Sequence, residues 1–141
     1  MKISILLPYK ENFSPEYPGA VSLFVYETSK ISKFKKTITI FGNTDYKKRF
    51  NLKYVNINLK KNLFSSQTNL YVKKFIELEK NINSSIIEVH NRPSYIHLIN
   101  SKIKNKILTL YFHNDPLSMS GSKTIEQRKS LLKTCYKIIF N

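Results

Sequence analysis

The sequence has a single cysteine and three glycines among 141 residues, and these shortages exclude several kinds of protein. Cys135 has no second cysteine with which to form an internal disulfide, and no Cys or His neighbour at zinc-ligand spacing, so neither a disulfide framework nor a structural metal site is expected. The sequence has no stretch rich in Pro, Gly or Ser of the kind that forms a linker. Its 41% of hydrophobic residues suffice for a core. We predict one folded domain over residues 1–141, in a reducing compartment.

Long hydrophobic runs are also missing. A helix needs about 20 consecutive apolar residues to cross a bilayer. The N-terminal apolar run from Ile3 to Leu7 is shorter than the core of a signal peptide, and it stops at Pro8 without a small-residue cleavage site. We therefore expect a cytoplasmic protein, with any membrane contact peripheral and at the inner face of the membrane.

Acidic residues are scarce, because 9 Asp and Glu stand against 24 Lys and Arg and give a net charge of +15. A basic surface attracts phosphates, so nucleic acids and anionic membranes are the partners to consider. Only three of the basic residues are arginines, and the lysines occur in scattered pairs instead of one stripe: Lys35–Lys36, Lys47–Lys48, Lys60–Lys61 and Lys73–Lys74. We expect no specific nucleic-acid partner, while peripheral attraction to an anionic membrane stays open.

Short apolar runs alternate with longer stretches of helical periodicity, which is typical of βαβ units around a parallel sheet. The predicted strands are Lys2–Leu7, Thr37–Phe41, Tyr54–Ile57, Ile86–His90, Ile107–Phe112 and Lys137–Phe140. The predicted helices are Ala20–Ser32, Gln67–Ile82, Pro93–Ile103 and Thr124–Thr134. Most of the strands lack an alternation of polar and apolar residues, as expected when both faces of a sheet are covered. The sequence predicts an α/β, Rossmann-like three-layer domain with a mostly parallel sheet.

One predicted strand ends with His90, and His113 directly follows the end of another. In open α/β sheets, ligands bind outside the carboxyl ends of the strands, so both side chains are expected at one binding edge. The neighbouring polar residues Asn91, Asn114 and Asp115 are typical of a pocket lining. The alternative is that each histidine bonds a nearby carbonyl and holds a loop.

The loop after the first strand forms the third wall of this predicted crevice, and it leads to a helix that starts at Gly19 and Ala20. A residue without a side chain lets backbone N–H groups approach a phosphate or a sugar closely. A simple helix cap or turn would use the same glycine. Both interpretations of Gly19 stay open.

Three stretches carry a resemblance to a known family: "ENFSPEYPGAVSLFVYE", "IIEVHNRPSYIHLI" and "LTLYFHNDP". They resemble the N-terminal, acceptor-side domain of family-4-type glycosyltransferases of the GT-B fold, particularly those of lipopolysaccharide core and other surface-glycan pathways. The resemblance implies a retaining hexosyltransferase with a nucleotide-sugar donor and a saccharide or lipid-linked acceptor. It implies neither a cofactor nor a metal ion.

The resemblance also implies roles for individual residues. His90 matches the catalytic histidine that contacts the transferred sugar, and His113 matches a second histidine of the cleft. Gly19 and Ala20 match the glycine-rich loop near the donor phosphates, although many members have a glycine pair there. The remaining implied substrate or donor contacts are Asn91, Arg92, Asn114 and Asp115.

The chain ends in the apolar strand "CYKIIFN". The family continues with a donor-binding C-terminal domain, so we expect that domain to be absent from this sequence and the chain alone to be inactive. An alternative function is a non-catalytic basic α/β module that binds nucleic acid or an anionic surface. A response-regulator-like domain would need an acidic cluster at the strand ends, where this chain has histidines.

Overall fold

The computed structural model describes residues 1–59 and 66–141, which form a six-stranded parallel sheet with helices on both faces. The strands are β1 Ile3–Leu6, β2 Ile38–Gly42, β3 Tyr54–Asn56, β4 Ile86–His90, β5 Ile107–Phe112 and β6 Lys137–Phe140. The helices are α1 Ala20–Ile31, α2 Gln67–Ile82, α3 Ser94–Lys102 and α4 Ile125–Thr134. Short 3₁₀ turns occur at Lys35–Thr37 and Pro116–Ser118.

The predicted α/β, Rossmann-like three-layer fold is confirmed. The strand order is β3-β2-β1-β4-β5-β6, and each neighbouring pair is parallel. The bounds of β4, β5, β6 and α2 agree with the predicted ones, and every other predicted element begins and ends within one residue of the observed element. The Lys60–Lys61 pair lies outside the described residues.

Apolar side chains cover the sheet on both faces. On one face, α2, α3 and α4 bury a cluster that includes Phe75, Ile99 and Leu131 against the sheet. On the other face, α1 packs through residues such as Val21 and Val25. Because side chains alternate along a strand, successive residues of β4 contribute to opposite faces.

A buried carboxylate fixes α2 to the amino edge of the sheet. Glu79, in the last turn of α2, is only 1% exposed. Its carboxylate accepts a hydrogen bond from the Ser4 hydroxyl in β1, and it accepts two from Ser84: the N–H at 2.8 Å and the hydroxyl at 2.5 Å. These bonds satisfy a charge that would otherwise be costly to bury.

The described helices have no membrane-spanning candidate. Within residues 1–59 and 66–141, no helix combines the length and the apolar character that crossing a bilayer requires.

Candidate functional site

The two histidines that end strands lie side by side. His90 is the last residue of β4, and His113 follows the last residue of β5. The Nδ1 atom of His90 lies 3.0 Å from the Nε2 atom of His113, which is hydrogen-bonding distance. The prediction that both histidines lie at the same edge of the sheet is therefore confirmed. That this edge binds a ligand stays a prediction.

Aromatic rings fix the orientation of the histidine pair. The Tyr111 ring is stacked on His90, with centroids 4.6 Å apart and planes 6° from parallel. Phe24 of α1 meets His113 edge-on, with centroids 4.9 Å apart. The pair therefore lies on the face of the sheet that α1 covers, and its rings are held by packing as well as by their hydrogen bond.

His90 is the buried member of the pair, since it is 2% exposed. Its Nε2 atom faces the Glu88 carboxylate, with 3.7 Å between Nε2 and Oε2. That distance is too long for a hydrogen bond. Among residues 1–59 and 66–141, His90 Nε2 is the single buried side-chain nitrogen or oxygen that has no hydrogen-bond partner.

His113 is only partly buried, and its pKa is low. Burial, followed by the neighbouring His90, lowers the pKa of His113 from 6.5 to about 4. The His113 ring is therefore neutral near pH 7, and it offers an N–H and a lone pair but no positive charge. Burial and the nearby Glu88 also raise the pKa of Tyr111, so its phenol keeps its proton.

This low pKa makes stability depend on pH. The unfolded chain takes up a proton on His113 near pH 6.5, whereas the folded chain does so only near pH 4. Between these values the unfolded state binds more protons, so the free energy of unfolding should fall as the pH falls through this window. Thermal melts of the wild type and His113→Gln check this, because the variant has no titrating group at this position. We expect the wild type to lose stability relative to the variant at acid pH. A difference in stability between the two proteins that stays constant with pH would contradict the low pKa of His113 in the folded state.

Asn91 connects the ends of β4 and β5, and Arg92 bonds Asn91. Asn91 has a left-handed backbone with φ of 54°, a conformation that asparagine tolerates well. Its N–H donates to the Tyr111 carbonyl at 2.7 Å, and its Oδ1 accepts from the His113 N–H at 3.3 Å. Arg92 Nη1 donates to the Asn91 carbonyl at 2.7 Å. Asn91, a predicted ligand contact, thus also holds the end of β5 beside His90, while this bond of Arg92 is local to Asn91.

Asn114 and Asp115 are exposed beside His113. The Asp115 carboxylate accepts from the Leu117 N–H at 2.9 Å and so caps the 3₁₀ turn Pro116–Ser118. The structure therefore brings the predicted polar residues to one edge, but it gives this carboxylate a local role in the turn.

Gly19 and Ala20 lie at the start of α1, as predicted, with Gly19 as the N-cap residue. The nearby Glu11 carboxylate accepts a hydrogen bond of 3.0 Å from the Ser22 N–H in the first turn of α1. A Cβ atom on Gly19 would collide with Oε1 of Glu11. A carboxylate of the chain itself thus occupies the position at the helix N-terminus where a phosphate would bind.

Gly19→Ala should displace the Glu11 carboxylate and lower the free energy of unfolding by about 1 kcal/mol, because the helix N-terminus loses an anionic hydrogen-bond acceptor. Chemical denaturation measures the change. Glu11→Gln is the matched control: it keeps an acceptor oxygen but loses the charge, so its effect should be smaller. Unchanged stability of Gly19→Ala would contradict this role for Glu11.

Sequence reasoning missed three residues that shape the site: Glu11, Glu88 and Phe24. The signal for Glu88 was present, because residues two apart on a strand share a face and Glu88 precedes His90 by two. No sequence signal placed Phe24 against His113, since that contact depends on how α1 lies on the sheet.

Other kinds of chemistry have little support in the described residues. Residues 1–59 and 66–141 contain no cluster of three or more His, Cys, Asp or Glu that could hold a metal ion. Burial raises the pKa of Cys135 to about 11, so its thiol stays protonated and is a poor nucleophile at neutral pH. The histidine pair is the strongest candidate for a functional site.

Comparison with known proteins adds no relative, since no protein-family model and no curated protein matches the chain. The resemblance to family-4-type glycosyltransferases therefore depends on the three sequence stretches quoted above.

Proposed function

We propose that this chain is the N-terminal, acceptor-side domain of a retaining, nucleotide-sugar-dependent glycosyltransferase of lipopolysaccharide or other surface-glycan biosynthesis. The observation that carries the proposal is the contact of His90 with His113 at the carboxyl edge of a Rossmann-like sheet. This edge is where α/β domains bind their ligands. The proposed ligands are a nucleotide-sugar donor and a saccharide or lipid-linked acceptor, in the cytoplasm or at the inner face of the membrane.

The chemistry of the edge suits positioning of a sugar better than activation of a leaving group. Glycosyl transfer passes through an oxocarbenium-like transition state, and departure of a nucleoside diphosphate needs positive charge near the leaving oxygens. The neutral His113 supplies no such charge. We therefore propose that a second, donor-binding domain supplies it and that residues 1–141 alone do not catalyse transfer.

Ligand-observed NMR with the chain of residues 1–141 tests the proposal. At least one soluble saccharide or nucleotide sugar of a panel should give a saturable binding signal. The signal should be lost in His113→Ala and kept in His97→Ala, which changes an exposed histidine on α3. The absence of any binding would contradict the proposed function, and measurable transfer by this chain alone would contradict the proposed division between two domains.

A second candidate function, a basic module that binds an anionic surface, is favoured by one observation. A cavity of about 230 Å³ at the amino edge of the sheet is lined by Lys80, Lys102, Lys104 and Lys106, together with Glu79, Asn83 and Ile103. Salt-sensitive binding to anionic vesicles that is weakened in the double variant Lys102→Gln, Lys104→Gln would support this function. That result together with no saccharide binding would favour it over the transferase proposal.

A further inference from the structure

Only one ring of the histidine pair is placed to contact a ligand. His90 is 2% exposed, its Nδ1 is bonded to His113, and its Nε2 is buried opposite Glu88. His113 is partly exposed, and no residue of the described chain forms a hydrogen bond with its Nδ1. A ligand at this edge would therefore meet His113 first.

The Glu88 carboxylate decides which nitrogen of His90 carries the proton. A lone pair on His90 Nε2 would point at the Glu88 Oε2 atom 3.7 Å away, whereas an N–H would be attracted to it. In its neutral form His90 is therefore expected to carry its proton on Nε2, which leaves a lone pair on Nδ1. This nitrogen then accepts the hydrogen bond of 3.0 Å, which the Nε2–H of His113 donates.

The hydrogen bond to His90 determines what His113 presents to a ligand. A neutral imidazole that carries its proton on Nε2 has a lone pair on Nδ1. The ring of His113 is neutral near pH 7 because its pKa is about 4. Its exposed nitrogen can accept a hydrogen bond from an O–H group, but it has neither a proton nor a charge to offer an anion.

We propose that Glu88 and His90 are positioning residues that hold His113 with its Nδ1 lone pair directed at a hydroxyl group of a neutral sugar. The sugar as ligand rests on the proposed function, whereas the protonation pattern of the two rings does not. The site discriminates against phosphate and carboxylate groups at this nitrogen, because a lone pair repels an anionic oxygen.

The ligand-free part of the test is ¹⁵N NMR of the imidazole nitrogens in the labelled chain at neutral pH. The expected result is that His90 and His113 are both protonated on Nε2 alone. In Glu88→Ala the His90 ring loses this preference, and signals of the Nδ1-protonated form should appear for both rings. The control is Glu27→Ala, which removes an exposed carboxylate 3.9 Å from Lys30 and should leave both rings unchanged.

The second part adds ligands to the same sample. Methyl hexopyranosides should shift the His113 Nδ1 resonance saturably, and sodium sulfate, which has no O–H group, should not. Glu88→Ala should weaken sugar binding by up to about tenfold, because this is the change in affinity that the loss of one hydrogen bond produces.

The ligand-free measurement and the ligand titration test different claims, so each can fail without the other. A proton on Nδ1 of His113 in the wild type, or an unchanged pattern in Glu88→Ala, overturns the inference whether or not a sugar binds. The expected pattern with no response to methyl hexopyranosides overturns the assignment of a sugar hydroxyl at His113, whereas the proposed function fails only if no saccharide or nucleotide sugar of the panel binds.

Discussion

Replacement of His90 by alanine should lower kcat and kcat/KM together, by about 100-fold or more, in the glycosyltransferase proposed to contain this chain. The physical reason is that the variant removes the acceptor of the His113 Nε2–H, which lies 3.0 Å from His90 Nδ1. His113 is then free to rotate and to change its protonated nitrogen, so the group that we propose to contact the sugar is no longer held in position.

Stability must be measured beside the kinetics, because His90 is buried and stacked on Tyr111. We expect a loss of about 1–3 kcal/mol in the free energy of unfolding from the unpaired donor. Kinetic constants are therefore expressed per folded molecule, from a thermal melt of the same sample. His97→Ala is the control, and this exposed residue of α3 should change neither quantity. A lower melting temperature with unchanged kcat would limit His90 to a structural role.

Glu79→Ala should lower the free energy of unfolding by about 3–5 kcal/mol. The variant leaves the Ser4 hydroxyl and two donors of Ser84 without their acceptor at a buried position. Hydrogen bonds to a charged group contribute about 1.5–3 kcal/mol each, and the unpaired donors add a desolvation cost. Denaturant titrations with a common m-value measure the loss.

The same helix offers a matched control for this prediction. Glu77 is an exposed carboxylate of α2 whose Oε2 lies 2.7 Å from Lys74 Nζ. An exposed ion pair is screened by solvent and contributes little to stability, so Glu77→Ala should cost little. Equal losses for the two variants would contradict the view that Glu79 fixes α2 to the sheet.

The architecture was predictable because it depends on local patterns. The apolar runs of β4 and β5 and the helical stripe of α2 are read directly from the periodicity of the sequence. The meeting of His90 and His113 follows as well, since parallel strands place their carboxyl ends at one edge.

The contacts that determine chemistry were not predictable in the same way. Glu11 reaches the first turn of α1 from a loop, and nothing in its sequence position distinguishes it from the other acidic residues. Glu79 bonds Ser4 across 75 residues of sequence, a contact that exists only once α2 lies on the sheet. The first of these contacts places a carboxylate beside Gly19, and the second fixes α2 to the sheet.

The central claim is that the carboxyl edge of the sheet, at the histidine pair, binds a sugar. Mapping of backbone amide shifts during titration of the chain with saccharides and nucleotide sugars tests it most directly. The claim predicts saturable shifts at Asn91, His113 and Asn114, with Lys102 and Lys104 at the amino edge unaffected. Shifts confined to those two lysines, or no saturable shift with any ligand of the panel, would contradict it.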